Sequence, residues 1–161
     1  RKKTANSMSL TELKHKPESF TTPKIAKLVA RLFEFRNELS DRQLSEKSIE
    51  QLNELITELN NDFETEKAYS KLVRKKTYSM AHTVLTNDKL IVKNHYRNQW
   101  MTLGMTIFGV PMGAAFGAAL GNFAFLGIGL PIGMVIGMAV GAEKDKKAKA
   151  EARVLNFSYE M

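Results

Sequence analysis

The stretch that decides the fold reads GVPMGAAFGAALG at residues 109–121 and continues as GLPIGMVIGMAVG at residues 129–141. Both follow the pattern G-x-P-x-G-x-x-x-G-x-x-x-G, and all 10 glycines of the chain lie between Gly104 and Gly141. Residues four apart share one face of an α-helix, so each copy predicts a helix with a continuous glycine stripe. The predicted helix-packing residues are Gly109, Gly113, Gly117, Gly121, Gly129, Gly133, Gly137 and Gly141.

The two copies lie in a long uncharged segment. No Asp, Glu, Lys or Arg occurs from Asn98 to Ala142, although charged residues make up 25% of the chain. One straight helix of this length would extend about 68 Å, roughly twice the thickness of a bilayer core. We therefore expect two membrane-spanning helices, at about 100–120 and 124–142, with a turn near residues 121–122. A soluble glycine-rich core helix is the alternative, but a very small helical domain would have to cover it.

The ends of this segment are typical of a membrane interface. Aromatic rings favour the headgroup zone, and basic residues favour the cytoplasmic side of a membrane. Both ends are basic, which predicts that both termini lie in the cytoplasm. The predicted interface residues are Tyr96, Arg97, Trp100, Lys144, Lys146 and Lys147.

Small residues allow helices to approach closely in lipid, where the hydrophobic effect gives little drive for association. The two stripes can face each other within one chain, or they can face neighbouring protomers and build a homo-oligomer. A second small-residue face, formed by Ala114, Ala115, Ala118 and Ala119, leaves room for both arrangements. Pro111 and Pro131 occupy matching positions of the repeat and are predicted to kink both helices.

From about His95 to Arg153, the GxxxGxxxG repeats and the lysine-rich tail GAEKDKKAKAEAR (residues 141–153) resemble the glycine-zipper transmembrane hairpins of small, largely uncharacterised bacterial membrane proteins. The resemblance covers a little over a third of the chain. It implies a bacterial protein of the inner membrane and no particular activity.

The remainder of the chain predicts an all-α fold. Residues 1–22 form a polar arm, residues 23–76 an amphipathic helical hairpin, residues 77–97 a connector and residues 143–161 a basic tail. Thr22 and Pro23 mark the first helix start, and the second helix is expected to continue to about Lys76. For residues 77–95 a β-hairpin and a helix that runs on into the apolar segment both remain open, and the helix is preferred. The predicted apolar stripes comprise Ile25, Leu28, Val29, Leu32, Phe33 and Leu39 in the first helix and Ile49, Leu52, Leu55, Ile56, Leu59 and Phe63 in the second.

No sequence pattern points to catalysis, a cofactor or a metal. The three histidines, His15, His82 and His95, lack the spacing of metal ligands, and the chain has no cysteine. A formal net charge of +7 alone does not predict nucleic-acid binding, because no recognition motif accompanies it. The chain begins at Arg1 instead of Met, so we expect further sequence upstream.

The sequence favours a non-enzymatic membrane protein that anchors and self-associates through its glycine-zipper helices. Its cytoplasmic helices, residues 23–76, are expected to bind a protein partner. The alternative is an oligomeric pore-forming effector of the toxin, holin-like or defence type, in which the same glycine stripes assemble a ring.

Overall fold

The computed structural model describes residues 9–14, 22–61 and 65–158. In these ranges the chain forms five helices and no β-strand, which confirms the all-α class. Two compact units are present: unit 1 holds the described residues up to Leu90 together with Leu155–Phe157, and unit 2 holds Ile91–Val154 and Ser158. The helices are α1 (Pro23–Ser40), α2 (Glu46–Leu59), α3 (Glu66–Asp88), α4 (His95–Ala119) and α5 (Leu126–Ala150).

Unit 1 is a three-helix arrangement, so the predicted two-helix hairpin is wrong. The second predicted helix ends at Leu59, and a new helix begins at Glu66 behind Thr65, whose hydroxyl accepts a hydrogen bond from the Ala68 N–H at 3.3 Å. Asparagine is a weak helix former, and Asn60 closes α2 as its C-cap. Phe63 lies outside the described residues.

Helix α3 is the centre of unit 1, because both α1 and α2 pack against it. Its buried positions, Tyr69, Val73, Thr77, Met80 and Val84, recur every three or four residues and therefore share one face. Burial raises the pKa of the Tyr69 hydroxyl above its ordinary value.

The buried face of α1 differs from the predicted one at three positions. Phe35 is fully buried, whereas Phe33 and Leu28 are only half-buried. The five buried side chains of α1 are Ile25, Val29, Leu32, Phe35 and Leu39. Phe35 continues this three-and-four spacing, and Phe33 does not.

The connector is helical over its first half, so the β-hairpin alternative for residues 77–95 is wrong. Helix α3 continues to Asp88 and ends at Lys89, which has the left-handed φ of 59°. The preferred helix does not run on unbroken either, because α4 begins only at His95. Between them the Ile91 N–H donates a 2.9 Å hydrogen bond to the Arg153 carbonyl, and Ile91 forms an isolated bridge with Val154.

Helices α4 and α5 make up most of unit 2. Helix α4 contains one π-helical turn, Met105–Gly109, and a short 3₁₀ turn, Phe123–Phe125, precedes α5. The chain reverses where Gly121 has a φ of 66°, a conformation that glycine adopts without steric cost. The Asn122 side chain accepts a 2.9 Å hydrogen bond from the Ala124 N–H and stabilises the turn.

Candidate membrane-spanning helices and their contact surface

Helices α4 and α5 are long and apolar enough to cross a membrane. Each has 25 residues, with mean hydropathies of 1.4 and 1.7, and only 22% of each apolar window is buried. A core helix of a soluble protein would be mostly buried. Here large side chains face outward, for example Ile107 with 54% and Val135 with 61% of their surface exposed.

The contact surface between α4 and α5 is made of glycine backbone. Gly104 lies against Gly133 and Gly137, and Gly109 lies against Gly129, so residue numbers fall along one helix as they rise along the other. A Cβ added to Gly104 would lie 2.7 Å from the Cα of Gly137. Carbon atoms in contact normally lie about 3.5–4.0 Å apart, so no side chain fits here without separating the helices.

The π-helical turn explains why Gly104 belongs to this surface. Gly104 and Gly109 are five residues apart, which would place them on different faces of a regular α-helix. In the π-helical turn the Val110 N–H bonds to the Met105 carbonyl, five residues back instead of four. The extra residue brings Gly104 into line with Gly109 and Gly113, and the repeat pattern gave no signal for it.

Not every glycine takes part in this contact. Gly117 is buried, but Gly121, predicted as a packing residue, lies in the turn with open space around its Cβ position. Its positive φ accounts for the glycine there. Gly127, on α5, likewise has no described atom within 4 Å of the position that a Cβ would take.

The two prolines have different surroundings. Pro111 is the second residue after the π-helical turn and lies in the first turn of the regular helix that follows it. Pro131 lies inside α5, which continues without a break on either side. The kinks expected at these positions stay predictions.

The predicted interface residues lie at one end of the helix pair, and Asp145 joins them. The Asp145 carboxylate accepts hydrogen bonds from the backbone N–H groups of Tyr96 at 3.0 Å and Arg97 at 2.9 Å. A side chain of α5 therefore caps the first turn of α4, whose own N-cap residue, Asn94, makes no side-chain cap bond. No sequence pattern distinguishes Asp145 from the other charged residues of the tail.

A cation and an aromatic ring meet at the same end. The Lys144 ammonium lies 5.2 Å from the centroid of the Trp100 ring, within the range of a cation–π contact. The Arg97 guanidinium reaches the sulfur of Met138 at 3.9 Å. Lys146 and Lys147 are exposed.

The segment that follows α5 forms hydrogen bonds through its backbone to a side chain of unit 1. The Glu38 carboxylate of α1 accepts hydrogen bonds from the Asn156 N–H at 2.6 Å and the Phe157 N–H at 3.2 Å. The Phe157 ring stacks on Phe35 with centroids 4.3 Å apart, and Leu155 is fully buried. The chain thus returns to the unit that it left after Leu90.

The titratable side chains show no arrangement of metal-ligand type in the part of the chain that the structure describes. No group of three or more His, Cys, Asp or Glu side chains comes together there. Comparison with known proteins gives no further guidance to a function. No protein-family model, no curated protein and no solved structure matches this chain.

Proposed function

We propose that the protein is an integral membrane anchor in which α4 and α5 form a glycine-zipper transmembrane hairpin that carries unit 1 on one side of the bilayer. Unit 1 then serves as a docking module for a protein partner. The proposal assigns no reaction to the protein.

The observation that carries this proposal is the inverted arrangement of α4 and α5. In a water-soluble helix pair the large apolar side chains face each other and the small or polar ones face solvent. Here backbone meets backbone between the helices, while Ile107, Leu120 and Val135 face outward. Lipid covers such an outer surface, and close approach through glycine supplies the packing that holds helices together in lipid.

The hydrogen bonds at the open end of the helix pair support an even number of membrane crossings. The Ile91 N–H bonds to the Arg153 carbonyl, and Asp145 caps α4, so the beginning of α4 and the end of α5 lie together. Unit 1 contains residues on both sides of this hairpin in sequence. The basic residues at both ends favour the cytoplasm for unit 1, and the resemblance to bacterial glycine-zipper proteins favours the inner membrane.

Self-association remains part of the proposal, with a change of surface. The glycine faces are occupied within the chain, so a neighbouring protomer would use another face of the hairpin. Ala114 and Ala118 are exposed on α4 and are spaced four residues apart. This face permits the close approach that membrane helices require.

Cysteine labelling in sealed vesicles tests the membrane topology. The chain has no cysteine, so single replacements give a clean background. We expect Lys47→Cys in unit 1 and Lys149→Cys at the end of α5 to react with an impermeant maleimide from one side. Asn122→Cys in the turn should react only from the other side.

Two results would contradict the proposal, one from labelling and one from extraction. Reaction of all three cysteines from the same side would exclude two crossings. Recovery of the wild-type chain in the soluble fraction after alkaline carbonate extraction would exclude an integral membrane protein.

A further inference from the structure

The strongest unexplained feature of unit 1 is the way it holds residues 9–14, which read SLTELK. Helices α1 and α2 both pack on α3, and although both are fully described, none of their Cα atoms come within 8 Å of each other. Residues 9–14 bond to side chains of both helices and so connect them. We call the surface of α1 and α2 that faces this segment the α1/α2 groove.

Two asparagines, Asn53 of α2 and its C-cap Asn60, bond to the backbone of the segment, and each uses both the oxygen and the nitrogen of its amide. The Asn53 oxygen accepts from the Thr11 N–H at 2.7 Å, and its nitrogen donates to the Ser9 carbonyl at 3.3 Å. The Asn60 oxygen accepts from the Lys14 N–H at 2.8 Å, and its nitrogen donates to the Glu12 carbonyl at 2.9 Å. The four bonds follow one pattern that repeats three residues along the segment.

The spacing of the two asparagines matches the repeat of an extended chain. Seven residues of helix separate Asn53 from Asn60 and rise about 10.5 Å at ~1.5 Å per residue. Three residues of extended chain separate Thr11 from Lys14 and span about 10 Å at ~3.3 Å per residue. The two asparagines are therefore spaced to bond a segment in an extended conformation, and the segment runs in the same direction as α2.

Helix α1 contributes from the other side, and two leucines fix the register. The Arg36 guanidinium donates to the Leu10 carbonyl at 2.7 Å and to the Thr11 carbonyl at 3.3 Å. The side chains of Leu10 and Leu13 are 7% and 8% exposed, so both are buried in unit 1. The segment is thus held by bonds to its backbone and by the burial of two leucines three residues apart.

This combination is how peptide-binding grooves work. Main-chain hydrogen bonds supply affinity for any extended segment, and pockets for a few side chains supply specificity. A segment that only needed to be covered would require the buried leucines but not six side-chain bonds to its backbone.

We propose that the α1/α2 groove recognises an extended Leu-x-x-Leu segment of a protein partner, and that residues 9–14 occupy it in the resting chain as an internal competitor. The inference rests on the proposed role of unit 1 as a docking module and names the chemistry of its partner. A partner segment binds when it outcompetes the tethered one, so occupation by residues 9–14 lowers the apparent affinity.

The test uses the full chain in detergent and a fluorescent peptide with the sequence of residues 7–16. We expect the variant Leu10→Asp with Leu13→Asp, whose own segment no longer fits, to bind the peptide at least about tenfold more tightly than wild type. Adding Asn53→Ala and Asn60→Ala should weaken binding about tenfold or more, because four backbone bonds are lost. The matched control is Gln51→Ala with Asn61→Ala. Both residues are exposed and lie close to Asn53 and Asn60 in sequence, and their replacement should leave binding unchanged.

Modified peptides test backbone recognition without changing any side chain. Methylation of the peptide nitrogens at the positions of Thr11 and Lys14 removes the two donors and should weaken binding about tenfold. Methylation at the position of Glu12, whose N–H makes none of these bonds, is the control. Equal affinity of the two modified peptides would overturn the proposal.

A second route keeps the test valid if the leucine variant fails to fold. A protease site placed between Lys14 and Thr22 can be cut after folding, which turns the internal segment into a separate ligand. The proposal is supported if the cut segment stays bound to the chain and is displaced by added peptide. It is overturned if the cut chain stays folded and binds no peptide at millimolar concentration. Both measurements are made in detergent, so their failure is distinct from failure of the membrane topology.

Discussion

Gly127 and Gly137 lie on the same helix and have opposite surroundings. A Cβ at Gly137 would meet the carbonyl oxygen of Trp100 and lie 2.8 Å from its carbonyl carbon, whereas at Gly127 no described atom lies within 4 Å. Backbone atoms cannot swing aside as a side chain can. A methyl group at Gly137 therefore has to push the two helices apart.

We expect Gly137→Ala to destabilise the helix pair by about 1–3 kcal/mol, the usual effect of overpacking. Gly127→Ala should be neutral or slightly stabilising, because alanine favours a helix by about 0.5–1 kcal/mol over glycine. Melting temperatures of both variants in one detergent, followed by circular dichroism, check the prediction. Equal melting temperatures would show that the glycine contact contributes nothing to stability.

At the scale of single residues, the four-residue repeat predicts the contact glycines correctly where the helix is regular. It identifies Gly109, Gly113 and Gly129, which do lie in the contact. It misses Gly104, because the π-helical turn changes the period by one residue, and it includes Gly121, where the helix has already ended. Both departures come from local backbone geometry that a spacing rule does not contain.

At the scale of elements, Asp145 joins the two apolar helices at one end. Its carboxylate bonds to two N–H groups in the first turn of α4, where the helix dipole also favours a negative charge. We expect Asp145→Ala to destabilise unit 2 by about 1 kcal/mol. Asp145→Asn, which keeps one acceptor oxygen, should have a smaller effect.

Amide hydrogen exchange gives a local reading of the same cap. In Asp145→Ala the amides of Tyr96 and Arg97 should exchange faster, while those near the turn at Gly121 stay unchanged. Glu143→Ala removes an exposed carboxylate from the same helix and is the control for charge. Equal acceleration in both variants would mean that charge, and not the hydrogen bonds, protects these amides.

The helix boundaries show what sequence patterns resolve at this scale. The start of α1 lies at the predicted cap, Thr22 with Pro23, whereas the start of α3 behind Thr65 was not predicted. The end of α2 was missed because the charged and apolar periodicity continues in sequence across Asn60. Asn60 closes the helix as its C-cap, and its side chain bonds to the backbone of Glu12 and Lys14, a tertiary contact that no local pattern contains.

At the scale of the whole molecule, the composition indicates the two membrane-compatible helices, and unit 1 could be outlined only as helical. The side chains of Asn53, Asn60 and Arg36 bond to the backbone of residues 9–14, and the side chain of Glu38 bonds to the backbone of residues 156–157. In the sequence these residues look like ordinary polar positions on a solvated helix face. Their role depends on which distant backbone lies beside them, so no local pattern reveals it.

The face of the helix pair that is already covered within one chain also decides which face can join two copies of the protein. Gly113→Leu with Gly133→Leu should separate α4 from α5, because Cβ atoms there would lie 2.6 Å from the Leu126 carbonyl oxygen and 2.5 Å from the Gly109 nitrogen. Ala114→Leu with Ala118→Leu changes an exposed face and should leave the melting temperature unchanged while lowering the oligomer mass. Ala124→Leu, in the turn, is the control for added bulk.

Light scattering in detergent gives the mass, and dye release from liposomes tests the pore alternative with the same variants. If protomers associate through the alanine face, the variant Ala114→Leu with Ala118→Leu should show a lower oligomer mass and no dye release. If the glycine variant instead keeps its melting temperature and loses its oligomer, the glycine faces join protomers. The contacts between α4 and α5 would then be replaced by equivalent contacts between copies, because one glycine surface cannot serve a partner helix of its own chain and a neighbour at the same time.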